Sequence, residues 1–144
     1  MFASSHRALK AYAEIGVETG VAAANPHKLI LMLFEGAMLA VASAKMHMQR
    51  KEIARRGESI SKAIMIIESG LKASLDLKAG GQLAERLHAL YDYMLRRLLY
   101  ANIHESPEAL DEVSHLLAEL NSAWAAIGST PAASQAPATP AGKA

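Results

Sequence analysis

The sequence predicts an all-α fold, an antiparallel up-down four-helix bundle with a short N-terminal cap helix and a disordered C-terminal tail. Three observations predict it. Apolar residues recur at helical spacing from about residue 26 to residue 127, and no stretch alternates with the period of a strand. Two cap-then-proline starts stand at Asn25-Pro26 and Ser106-Pro107, where the polar side chain closes the first turn and the proline needs no donor. Gly80-Gly81 and Gly128 provide cheap helix ends.

The elements follow in order. Residues 7–18 form a partial helix with Leu9, Tyr12 and Ile15 on one side. The first long helix runs from Pro26 to about Arg50, and the second from about Glu52 to Ser74 across a breakable joint near Arg50-Lys51. A loop over 75–81 precedes a third helix from Gln82 to about Ile103, and the fourth spans 107–127. The last 17 residues hold three prolines, six alanines, two glycines and no large apolar side chain. Such a segment buries too little to offset its ordering entropy. The expected division is one helical domain over 1–127, with 1–24 as its N-terminal cap segment, and a tail over 128–144.

Composition narrows the function. The chain of 144 residues is 51% hydrophobic, carries a net charge of +1 and has no cysteine. Near-neutrality gives no general attraction to nucleic acid or anionic lipid. The missing thiol removes disulfides, thiolate metal sites and cysteine nucleophiles. The first 25 residues show no signal-peptide core, and the stretch 29–42 is broken by Glu35-Gly36 and too short for a bilayer. A cytosolic protein without membrane insertion is expected.

The apolar residues exceed what a bundle needs. The fourth helix is ordinary: Leu110, Val113, Leu117, Leu120, Trp124 and Ile127 make one narrow seam, with Leu117 and Trp124 assigned to the core. The first helix differs, since twelve of the fourteen residues from 29 to 42 are apolar and leave almost no polar side. On the third helix, Leu83, Leu87, Leu90, Met94 and Leu98 make the core stripe. Tyr91, Leu95 and Leu99 widen it beyond the ~100° that packing requires. Surplus apolar surface on a soluble protein marks an interaction site. Leu29, Leu33, Phe34, Met38, Tyr91, Leu95 and Leu99 are therefore the expected partner contacts. The candidate covers are the N-terminal segment folding back, a second copy of the chain and a foreign apolar segment, and the plain alternative is a well-filled core with small alanines outside.

Catalytic constellations fail on geometry. A di-iron bundle needs Glu-x-x-His pairs pointing inward. Glu85/His88 and Glu112/His115 have the spacing, but at 100° per residue both pairs turn away from their seams. The sequence contains no nucleophile elbow and no phosphate-binding glycine loop. The basic cluster Arg50, Lys51, Arg55 and Arg56 lacks interleaved aromatics. No catalytic residue, metal or cofactor is assigned, and no nucleic-acid partner.

Tyr12 followed by Val17, then the run from Asn25-Pro26-His27-Lys28 through Phe34-Glu35-Gly36-Ala37, resembles the flagellin export chaperone family (FliS). So do Leu75-Asp76, Gly80-Gly81, Leu90-Tyr91-Asp92-Tyr93-Met94, Arg96-Arg97-Leu98, Ala101-Asn102 and Trp124. The resemblance spans roughly residues 8–127, with Asn25 and Glu35 where the family usually has Ser and Asp. It implies a non-enzymatic helical bundle that binds the disordered C-terminal segment of flagellin, prevents its premature polymerisation and delivers it to the flagellar export gate. It also implies that the region of Leu9, Tyr12 and Ile15 serves as cap and gate contact, and it fits a monomer or weak homodimer. Obligate homo-oligomerisation through the same apolar surface is the rival reading.

Overall fold

The computed structural model describes residues 25–128. Leu9, Tyr12, Ile15 and the tail beyond Gly128 lie outside them. Four helices follow one another: α1 (Pro26–Gln49), α2 (Ile53–Met65), α3 (Leu77–His104) and α4 (Pro107–Gly128), with a π-helical segment (Ile66–Lys72) continuing α2.

The starts are capped as their residue types require. The Lys28 N–H donates to Asn25 Oδ1 at 2.8 Å, Ala79 N–H to Asp76 Oδ1 at 3.1 Å and Ala109 N–H to Ser106 Oγ at 3.2 Å. Each bond satisfies one of the four N–H groups that a helix start leaves without a partner.

Two expected boundaries are corrected. The second helix is not one α-helix to residue 74, because its last two turns widen to π. The wider turns bring Ile66, Ile67, Gly70 and Leu71 into the core, and the Ser74 hydroxyl donates to the Gly70 carbonyl at 2.6 Å. The loop expected over 75–81 is shorter. Asp76 starts a helical turn at Leu77, and Gly81 breaks the direction of α3 at φ 57°, ψ −135°, a region essentially reserved for glycine. Leu83, expected in the core stripe, stands just past this kink and is 68% exposed.

The helices form a ring in sequence order. α1 packs on α2 and α4, α3 packs on α4, the π segment and α2, and the backbones of the diagonal pairs do not approach closely. This is the up-down bundle that short connections favour. The core includes Leu33, Ile60, Ile66, Ile67, Leu71, Met94, Leu98, Leu110, Val113 and Leu117.

The ring hides more of α1 than a seam would. Leu29, Leu33, Phe34, Ala37, Ala40, Val41 and Ala44 are all buried. The alanines let the neighbouring helices approach closely and wrap a wide arc. On α1 only Leu39, at 70%, and Met46, at 38%, are large apolar side chains left exposed. The expectation that this helix needs a foreign cover is corrected accordingly. Among the described helices α1 is long and apolar enough to cross a bilayer, so the sequence argument that it is too short does not hold. Here that apolar surface is spent on the bundle.

Candidate functional site

The expected contact residues separate into two groups. Leu29, Leu33, Phe34 and Tyr91 are at most 3% exposed and belong to the core. As surface contacts of the closed bundle they are corrected: the arc around α1 and the inner face of α3 absorb them. Burial also pushes the Tyr91 phenol well above its ordinary range. Met38 and Leu95 are half-buried, and Leu99 is 53% exposed. Leu117 is in the core as expected, whereas Trp124 is only half-buried at the bundle end.

Leu95 and Leu99 lie beside the seam between α2 and α3. α2 meets α3 far less extensively than it meets α1, and an open groove there is lined by Gly57, Glu58, Ser61, Lys62, Met65 and Asn102. Asn102 is fixed on the α2-facing flank of α3 because the Arg56 Nε–H donates to its Oδ1 at 2.9 Å. At 100° per residue Leu95, Leu99 and Ile103 follow on that flank at about 20°, 60° and 100° from Asn102. They form an apolar row at i, i+4 and i+8 beside the groove, with Ile103 74% exposed. Gly57 leaves the opposite wall open, since a side chain there would meet nothing within 4 Å.

Polar ties bound the groove at both ends. Lys72 Nζ lies 2.7 Å from Asp92 Oδ1, joining the π segment to α3. The hydrogen bond favours both charged forms, raising the Lys72 pKa and lowering that of Asp92. At the other end Arg56, 7% exposed, grips Asn102 through Oδ1 and through the backbone carbonyl at 3.2 Å. Of the basic cluster Arg50, Lys51, Arg55 and Arg56, only Arg56 is buried. From Asp92 to Asn102 the groove is about 15 Å long at 1.5 Å per residue, roughly three turns of a docked helix.

Ile103, Met65 and Gly57 were not singled out from the sequence. The signal for Ile103 was present, four residues beyond Leu99 on the same stripe. Gly57 and Met65 become legible only when α2 and α3 are placed side by side.

The remaining acids and histidines have structural roles. Glu112, expected to be solvated, is half-buried and accepts from the Tyr93 hydroxyl and from Arg97 Nε at 2.7 Å. These bonds, Tyr93 first, hold the Glu112 carboxyl below its ordinary 4.5. A folded pKa below the unfolded one means that the α3–α4 tie contributes above about 4.5 and is lost as pH falls through the folded value. In acid titration of stability, Glu112→Gln is therefore expected to be less stable than wild type at pH 7 and to lose less on acidification. Parallel curves below pH 4.5 would contradict this assignment. Among the described residues no three His, Asp or Glu side chains converge on a metal position.

The family model for the flagellar protein FliS matches residues 8–131. The chain is 47% identical over 119 residues to the flagellar secretion chaperone FliS of Salmonella typhimurium, covering 83% of this chain and 88% of that protein. It is 44% identical to the flagellar secretion chaperone FliSB of Pseudomonas aeruginosa, over 84% of this chain and 95% of the relative. It is 31% identical to the Bacillus subtilis FliS chaperone, over 74% and 78% of the two chains. A capped helical bundle with an open groove between α2 and α3 agrees with these matches, and the chain belongs to the FliS family of flagellar secretion chaperones, a family of chaperones and not of enzymes.

Proposed function

We propose that this protein is a cytosolic chaperone that holds the C-terminal segment of flagellin as a helix in the α2–α3 groove. It thereby prevents premature polymerisation and presents the segment to the flagellar export gate. One observation carries the reading: the open groove between α2 and α3 is also the one flanked by Leu95, Leu99 and Ile103. Helix-in-groove recognition needs such a row of apolar anchors beside an open trough. A client that orders only on docking spends part of its contact energy on that ordering, which keeps the complex releasable. Leu9, Tyr12 and Ile15 are assigned to cap and gate contact.

The test is retention of a flagellin C-terminal peptide. Burying one leucine contributes about 1.5–3 kcal/mol, so Leu99→Asp is expected to weaken binding at least ~10-fold. Leu95→Asp should act in the same direction. Leu39→Asp, on the outer face of α1 and 70% exposed, should bind as wild type. Equal retention by all three variants would remove the groove from the mechanism.

The rival reading rests on Leu39 and Met46, exposed one above the other on the outer face of α1. Obligate self-assembly through that face predicts a concentration-independent dimer in sedimentation without client, and loss of the dimer in Leu39→Asp.

A further inference from the structure

The last third of α4 is attached differently from the rest. Its fully buried side chains end at Leu117, and none of residues 118–128 is fully buried. A reciprocal clasp to the first turn of α1 holds this end. His27 Nε2 lies 2.6 Å from the Trp124 carbonyl, which accepts when Nε2 carries a proton, and Trp124 Nε1–H donates to the His27 carbonyl at 3.0 Å. The two rings stack with centroids 5.0 Å apart and an interplanar angle of 12°. Gly128 leaves room for the imidazole: a Cβ there would stand 1.9 Å from His27 Cε1.

One group in the same stretch works against closure. Asn121 Oδ1 is buried with no hydrogen-bond partner. A buried acceptor that gives up water without replacement destabilises the state that buries it. Two donated bonds, a ring stack and the partial packing of Leu120 and Trp124 on the core therefore hold the segment shut against an internal opposing load.

We infer that residues 118–128 form a hinged arm, latched by His27 and Trp124 and loaded by Asn121, that covers the apolar start of α1. Leu33 faces Gly70 of the π segment, but Ile30 and Phe34 follow on the latch's own flank of α1, about 60° and 20° from His27. Opening the arm uncovers Ile30 and Phe34, which are half-buried and buried in the closed bundle. The gating role rests on the reading of this chain as a chaperone with an apolar docking surface. The arm and its latch do not depend on that reading.

Amide hydrogen exchange on the full chain without client tests the arm. His27→Ala is expected to speed exchange over 118–128 at least tenfold while 107–117 stays within twofold of wild type. Asn121→Leu is expected to slow exchange over 118–128. A uniform rise along α4, or no change, in His27→Ala overturns the arm. Should that variant not fold, Asn121→Leu decides, and unchanged exchange there overturns it as well. Gating is read separately with 1-anilinonaphthalene-8-sulfonate: fluorescence should rise in His27→Ala. Faster exchange without added dye binding would overturn the gating step while leaving the groove reading to its own peptide test.

Discussion

Arg56→Ala is expected to destabilise the bundle by about 3 kcal/mol, because it strips a buried polar cluster of its donor. The guanidinium satisfies Asn102 Oδ1 and the Asn102 backbone carbonyl together, and its Nη1 stands 3.9 Å from Glu105 Oε2. Asn102 lies in the last turn of α3, where the final four carbonyls lack helical partners and the helix end is partly negative. One side chain thus closes a helix end, joins α2 to α3 and bounds one end of the groove. At roughly 4–8 °C per kcal/mol for a domain near this size, the melting midpoint should fall by more than ~10 °C. Lysine should not rescue it, since an ammonium has no planar fork. Arg55→Ala is the control: Arg55 is 68% exposed, and a surface change of this kind stays within about 0.5 kcal/mol. Equal unfolding free energies for the two alanine variants, measured in denaturant, would contradict the role of Arg56.

Leu33→Ala should cost at least as much, about 3 kcal/mol, since Leu33 is fully buried and its removal leaves a cavity. The informative experiment pairs it with Gly70. A Cβ at Gly70 would stand 2.9 Å from Leu33 Cδ2 and 3.3 Å from Cδ1. Leu33 has no solvent-exposed side to retreat to, so Gly70→Ala alone overpacks the site and should cost about 1–2 kcal/mol. With Leu33 already reduced to alanine the added methyl enters vacated space, and Gly70→Ala should become neutral or stabilising. The coupling between the two changes should exceed about 1 kcal/mol. Additive effects would mean that the π segment does not press on α1 at this point.

This pair also shows where reading the sequence stopped. Helical spacing and the caps at Asn25 and Ser106 act over four residues, and the four-helix order follows from them. The π turns are not local in that sense. Nothing within residues 66–72 requires them, and they are seen only where Ile66, Ile67, Gly70 and Leu71 meet α1 and α3. The kink was half legible: Gly81 announced a break, whereas the helical turn begun by Asp76 before it did not stand out from a glycine-rich loop.

By itself the sequence determined the helical class, the order of the helices, the absence of thiol chemistry and the excess of apolar residues, because periodicity, capping and composition are properties of neighbours along the chain. It also placed Leu95 and Leu99 on one stripe. Only the tertiary structure decided which apolar residues remain outside. Leu29, Leu33, Phe34 and Tyr91 have the same hydrophobic character as Leu99, and a helical wheel cannot say how much of a helix its neighbours will wrap. That depends on how closely Ala37, Ala40 and Ala44 let α2 and α4 approach, and on how far α2 and α3 diverge. Both are distances between elements remote in sequence, fixed by packing and by ties such as Arg56–Asn102.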